Sequence, residues 1–133
     1  MAILPLPLAF IACDHVWRDP NTEKRTILGA YSAIEFAEFP ARLPEMAVYL
    51  AVTGIHGRMV TTVQLVDSAE TLPGPVAATE IPLDFNDPVA TIESHVVLED
   101  VIFPFPDEYR LQLLVSGLVV IERRILVSNP AHQ

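Results

Sequence analysis

Hydrophobic and polar residues alternate with period two along most of this chain, a pattern typical of β-strands with one buried and one solvated face. The clearest stretch spans residues 91–103, where Ile92, Val96 and Leu98 alternate with polar positions. No segment shows a convincing 3.6-residue period. We therefore predict about eight strands, at residues 6–13, 25–36, 46–53, 58–67, 76–81, 91–103, 109–116 and 118–127.

Turn-forming residues separate these segments at short intervals. Asp19-Pro20-Asn21 fits a type I turn, and Ser116-Gly117 fits a two-residue hairpin turn. Proline clusters, as in residues 81–88, should end strands because proline lacks the amide hydrogen that a ladder needs. With no linker or repeat, residues 1–133 are predicted to form one all-β domain. We expect an antiparallel β-sandwich of about seven to eight strands, with a flattened barrel as the alternative.

The segment FPDEYRLQLLVSG resembles the start of a late strand in immunoglobulin-like and fibronectin-type-III-like sandwiches. Asp107 and Tyr109 match the aspartate and tyrosine there, and the resemblance implies that the tyrosine hydroxyl bonds to backbone upstream. Leu111 stands where antibody domains have a cysteine, so no inter-sheet disulfide is implied.

Three segments are also similar to recurring pieces of a bacterial domain-of-unknown-function family of small sandwiches. They are CDHVWRDPNTEKRTILGAYSAI, AVYLAV and FPDEYRLQLLVSG followed by ERRILV. The likeness covers most of the chain and implies an immunoglobulin-like, Greek-key layout. It implies no activity.

Charge and cysteine content narrow the classes of partner. The chain has 8 Lys and Arg against 17 Asp and Glu, a formal net charge of −9, with no basic cluster. We therefore expect neither nucleic acid nor an anionic membrane surface as a partner. A single cysteine requires no oxidising compartment, which favours the cytoplasm. The apolar start MAILPLPLAFIAC loosely resembles a lipoprotein signal, but it lacks a basic leader and contains two prolines.

Cys13 and His15 are the first candidates for chemistry. On a strand they project from one face with Cβ atoms about 7 Å apart. A metal site would need His56 or His95 to converge on them, and a Cys-His nucleophile would need direct contact. We favour a third interpretation, in which Cys13 is half-buried at a strand end and residues 14–18 form the edge of a hairpin. No metal site and no cofactor are predicted.

A second candidate is a ligand site built from loop residues. Asp84, Asn86 and Asp87 could join Asp107 and Glu108 at one end of the sandwich as oxygen ligands for calcium. Their alternative role is to cap turns through their own backbone. The only tryptophan, Trp17, serves either as a packing anchor over the hairpin or as a platform for a carbohydrate.

The chain contains no glycine-rich phosphate loop, no Gly-x-Ser-x-Gly and no His-Glu-x-x-His pattern, so we predict that it is not an enzyme.

More informative is an excess of apolar residues on strand faces that should be solvated. Because such patches mark interfaces, we predict homo-oligomerisation or a protein partner. The alternative is a bulge within residues 117–127 that exchanges the two faces of the last strand, as Arg123 on the nominal inward face suggests. Without a bulge, Val119, Ile121 and Ile125 point inward. The predicted interface residues are Leu114, Val120, Leu126, Tyr49 and Tyr31, with Ala33, Ala47 and Ala51 extending the surface.

Overall fold

The computed structural model describes residues 5–54, 57–85 and 90–130. Within these ranges the chain forms nine β-strands and no α-helix. The strands are β1 (Leu6–Arg18), β2 (Arg25–Ala30), β3 (Ala33–Glu35), β4 (Ala41–Thr53), β5 (Gly57–Asp67), β6 (Ala77–Phe85), β7 (Ile92–Phe103), β8 (Asp107–Val115) and β9 (Leu118–Ser128).

The strands form two sheets, in which every pairing is antiparallel except that of β3 with β9. One sheet has four strands in the order β2-β1-β4-β7, and the other has five in the order β3-β9-β8-β5-β6. The predicted all-β, mainly antiparallel architecture is confirmed.

The inward side chains of both sheets form one apolar core. Alternate residues of β4, such as Val48 and Leu50, face alternate residues of β8, such as Leu111 and Leu113. Their burial follows from the period-two geometry of a strand, which sends successive side chains to opposite faces. The core therefore occupies the space between the sheets and leaves two outer faces.

Tyr109 fixes the connection between β7 and β8. Its ring packs edge-on against Phe103, with ring centroids 4.9 Å apart, and its hydroxyl donates to the Phe105 carbonyl at 2.7 Å. The expected bond from the tyrosine hydroxyl to upstream backbone is confirmed. A buried hydroxyl with a partner avoids the cost of an unpaired polar group, so the same residue packs the core and closes the turn.

Both predicted turns are confirmed. The Asp19 carboxylate accepts a hydrogen bond from the Asn21 amide at 2.8 Å between β1 and β2. Ser116 and Gly117 have φ angles of 51° and 83° between β8 and β9. Two consecutive positive φ angles match the twist of a tight hairpin.

Several strand boundaries differ from the prediction. The segment 25–36 is two strands, β2 and β3, in different sheets, which accounts for the ninth strand. β6 runs through Pro82 to Phe85 instead of ending at 81. β6 is an edge strand, where proline is tolerated because one side of the backbone needs no partner. β1 extends to Arg18, so Cys13 lies within a strand and not at its end.

A bulge in β9 exchanges two side chains of that strand. Leu113 pairs with Ile121 and Leu114 with Val119, so Val120 has no partner of its own on β8. Val120 packs against the core and Val119 is exposed, the reverse of their predicted orientations. The bulge expected as the alternative is present, but it exchanges only Val119 and Val120 and not the two faces of the whole strand. Beyond it, Ile125 points inward and Leu126 outward, as predicted.

Candidate functional site

Part of the outer face of the four-stranded sheet lies under the end of the chain's own β1–β2 hairpin, whereas Val97 of β7 on the same face is 40% exposed. Cys13 and Val16 are both buried in one small cluster with Ala47, although residues three apart on a regular strand face opposite ways. Alternation therefore breaks at residues 14–15, next to Gly29 of β2, whose φ is +68°. We call this surface the hairpin-covered face.

The structure agrees with the interpretation that Cys13, Asp14 and His15 belong to a hairpin, with one correction. Cys13 is fully buried and its thiol donates to the carbonyls of His15 and Ala47, each at 3.6 Å, while His15 is exposed. Burial raises the pKa of the thiol, with a smaller rise from Asp14 and an opposing effect from the hydrogen bond to His15. Cys13 is thus a packed thiol in mid-strand, unlike the half-buried strand end that we predicted.

A polar network lies beside this cluster. The Arg25 Nε donates to His95 Nδ1 at 3.0 Å, and its guanidinium lies 3.9 Å from the Glu93 carboxylate. Tyr49 hydrogen-bonds to Glu93, and burial followed by the Glu93 charge raises the pKa of that phenol. Arg25 keeps only 15% of its side chain exposed. Four residues from three strands thus form a connected, half-buried charge network.

His95 also approaches His15, which the sequence gave no reason to expect. Burial is the main cause that lowers the pKa of His95, followed by Arg25, His15 and Arg18. The bent hairpin brings these groups together by carrying β1 and β2 residues over the sheet towards β7. In the part of the chain described, no group of three metal-ligating side chains forms a site.

The outer face of the five-stranded sheet, which we call the open face, has an apolar end. Val60 pairs with Pro82, and Leu114 pairs with Thr62 and Val119 across neighbouring strands. Val60 is 60% exposed and Val119 48%. We define Val60, Pro82, Leu114 and Val119 as the apolar patch.

Polar residues occupy the middle of the open face. Gln64 donates to Gln112 at 2.8 Å, and Gln112 donates to Glu122 at 3.1 Å. Leu126 is exposed on the far side of this row, opposite Glu108 in the β8–β9 register. Leu114 and Leu126 therefore share a face but are separated by polar side chains.

The remaining predicted interface residues lie elsewhere. Val120 packs on the core, and Tyr49 belongs to the hairpin-covered face. Ala47 and Ala51 point away from the core as predicted but are buried.

Tyr31 does not extend the surface formed by Tyr49, Ala47 and Ala51. It packs against the main core and borders a cleft of about 390 Å³ that Arg123 also lines. Burial raises the pKa of its phenol, followed by the charges of Asp14 and Cys13. Among the described residues its hydroxyl has no hydrogen-bond partner.

The structure separates the predicted calcium ligands. Asp84 pairs with Arg58 near the start of β5, whereas Asp107 begins β8, two residues from Tyr109, which pairs with Asp67 at the end of β5. With about 3.3 Å per strand residue, the length of β5 puts Asp84 and Asp107 about 30 Å apart. Asp84 and Asp107 therefore do not meet at one end of the sandwich, because Asp84 lies beside the start of β5 and Asp107 near its other end. Asp87, Asn86 and His56 lie outside the described residues.

A family model described as a family of unknown function, DUF6941, matches residues 8–128. The chain belongs to this family. The match runs from β1 to the last residue of β9, so the resemblance to a domain of unknown function is confirmed. No curated protein matches the chain. Within the described ranges, this DUF6941 member has no helix with the length and hydropathy needed to cross a membrane.

Sequence reasoning missed the functional potential of Arg25 and Glu93 in this DUF6941 chain. Alternation did place Glu93 and His95 on the outward side of β7, and both lie there. Arg25 gave no such signal, since its position depends on the bend of the hairpin.

Proposed function

We propose that this protein is a non-catalytic module that associates with a second copy of itself through the apolar patch on the open face. The observation that carries the proposal is the high exposure of Val60 and Val119 around Leu114, on a face that no other part of the described chain covers. Burying apolar surface contributes about 25 cal/mol per Å² removed from water, which favours pairing of two such patches. Leu126 lies outside the proposed contact.

Charge should modulate this association. Each copy carries a formal net charge of −9, so two copies repel one another over a distance of about 10 Å at moderate salt. The four residues of the patch itself are uncharged. We therefore expect association to strengthen as salt screens the repulsion, which is the opposite of an interface held by ion pairs.

The test is sedimentation equilibrium of the wild type, Val119→Asp and Leu126→Asp. The two variants add the same charge on the same face, but only Val119 belongs to the patch. We expect a concentration-dependent dimer that Val119→Asp weakens by about tenfold or more, the effect of losing a central apolar contact. Leu126→Asp should change the dissociation constant by no more than about twofold. A wild type that stays monomeric at all concentrations would end the proposal.

We also infer an immunoglobulin-like Greek-key layout. Leaving out β2 and β3, the strand orders β1-β4-β7 and β9-β8-β5-β6 correspond to A-B-E and G-F-C-C′ of that fold. Tyr109 near the start of β8 then has the position of the tyrosine that closes the corner before strand F. An experimental structure with a different strand order would contradict this assignment.

Trp17 supports a second candidate function, carbohydrate binding. Its side chain is 49% exposed beside the β1–β2 turn, as an aromatic stacking platform requires. Since it is the only tryptophan, its fluorescence reports on that site alone. A saturable change in emission with one member of a sugar panel, lost in Trp17→Ala, would support binding, and flat titrations throughout would exclude it.

A further inference from the structure

The bond between Arg25 and His95 connects the two edges of the four-stranded sheet. Arg25 belongs to β2 and His95 to β7, and β1 and β4 lie between them in the strand order. The 3.0 Å hydrogen bond therefore crosses the outer face above two strands, beside the buried cluster of Cys13, Val16 and Ala47. It is a direct connection between the end of the hairpin and the far edge of the sheet.

This bond requires one protonation state of His95. An arginine guanidinium can only donate, so His95 Nδ1 must accept and cannot carry a proton. The neutral imidazole then holds its proton on Nε2. A proton added to Nδ1 removes the acceptor and places a positive charge against the arginine.

The surroundings of His95 oppose that added charge. Arg25 faces it from β2, and His15 and Arg18 from β1. On its other side Glu93 of β7 contacts Arg25, and Tyr49 of β4 bonds to Glu93. Glu93 is half exposed and already shared with Arg25 and Tyr49, so this one carboxylate would face the charges of Arg25, Arg18 and a protonated His95.

We propose that the Arg25–His95 bond is a pH-sensitive contact whose loss on protonation of His95 releases the end of the β1–β2 hairpin and uncovers Cys13. The released state keeps both sheets, because the pairings of β4 with β7 and of β1 with β4 do not involve this bond. The contact acts on the hairpin alone.

The direction of the pH effect follows from the pKa. In the closed state the pKa of His95 lies below its ordinary value of 6.5, whereas a released His95 titrates near that value. The closed state, in which the Arg25–His95 bond is made, is fully favoured above pH 6.5. It loses this advantage as the pH falls from 6.5 towards the lower pKa that His95 has in the closed state. As the pH falls between the two values, the equilibrium for opening rises with a slope of at most about tenfold for each pH unit.

Cys13 provides the readout, because it is the only thiol and is fully buried beneath the hairpin. Labelling with 4,4′-dithiodipyridine would be followed from about pH 7.5 to about pH 5 in the wild type, His95→Asn and the control His15→Asn. The asparagine Oδ1 takes the place of Nδ1 as an acceptor and does not titrate. The ratio of wild-type to His95→Asn rates cancels the intrinsic pH dependence of thiol and reagent.

We expect this ratio to rise, by at most about tenfold per pH unit, as the pH falls below the ordinary histidine pKa, and then to level off. His15→Asn should keep the rise. A ratio that is constant with pH would overturn the proposal, as would a rise that depends on His15 and not on His95.

A second measurement uses the wild type alone, in case the variants fold poorly. Imidazole ¹⁵N spectra should show His95 with Nδ1 unprotonated at neutral pH and with a pKa below the ordinary histidine value. A His95 that carries its proton on Nδ1 at neutral pH would contradict the proposal.

Discussion

Apolar residues that point away from the core are buried to different extents on the two outer faces of this protein. On the hairpin-covered face, Cys13 and Ala47 are buried because the chain folds its own hairpin over them. On the open face, Val60 and Val119 remain exposed beside the β8–β9 turn. The comparison indicates that the chain's own hairpin covers part of one face, whereas the apolar patch of the other face is exposed, which is where we propose that a second copy binds.

The difference depends on where the strand geometry is irregular. The break in β1 at residues 14–15 bends a hairpin onto the sheet and brings Arg25 to His95. The bulge in β9 turns Val120 into the core and Val119 outward, which adds to the apolar patch.

A charge placed on each face in turn should give the largest difference in unfolding free energy between the two faces. Ala47→Asp puts an unpaired carboxylate beneath the hairpin, which we expect to cost about 3–5 kcal/mol of unfolding free energy. Val119→Asp should change that free energy by no more than about 0.5 kcal/mol, since its side chain is solvated. Urea unfolding at a concentration low enough for monomers measures both. Equal effects would mean that the faces do not differ in burial.

Alanine in place of glycine in the two hairpins should give an intermediate contrast. A Cβ at Gly29 would collide with the Asp14 carboxylate and would adopt a φ of +68°. We expect Gly29→Ala to cost about 1–3 kcal/mol. Gly117 has a φ of +83° but open space around it, so Gly117→Ala should cost only the strain, about 1 kcal/mol. Thermal unfolding of the pair compares them, and a more damaging Gly117→Ala would argue against a tight hairpin over the first face.

The smallest expected effect comes from enlarging the apolar patch. Gln112→Leu replaces the amide that bonds to Gln64 and Glu122 in the polar row. The added apolar area should strengthen self-association by about 0.5–1 kcal/mol, a twofold to fivefold change in the dissociation constant. Sedimentation of this variant beside the wild type measures the change. Weaker association would show that the polar row is part of the contact.

Much of the fold could be predicted from local pattern. The alternation of apolar and polar residues predicted the bounds of β5, β7 and β8 to within two residues. Ser116 and Gly117 are residues typical of a hairpin turn and form one. The alternation pattern failed to predict the structure where contacts with other strands determine it. Pro82 continues β6 only because that strand lies at an edge, and the exchange of Val119 and Val120 depends on a bulge that alternation cannot position.

The site was less predictable than the fold. The sequence placed His95 on an outward face but offered no route from it to Arg25, which lies 70 residues away in the chain. That contact depends on the bend at residues 14–15 and on β2 and β7 being opposite edges of one sheet. The period-two alternation within one segment does not indicate which distant strands become its neighbours in a sheet. The separation of Asp84 from Asp107 was unpredictable for the same reason, since it follows from how β6 and β8 pair with β5.

Methyl NMR spectra recorded over a range of protein concentrations test the difference between the faces most directly. The account predicts that methyl signals of Val60, Leu114 and Val119 shift together and saturate as the concentration rises, while those of Val16 and Ile27, which pair within the β1–β2 hairpin, stay fixed. Shifts confined to Val16 and Ile27, or no shifts at any concentration, would contradict it.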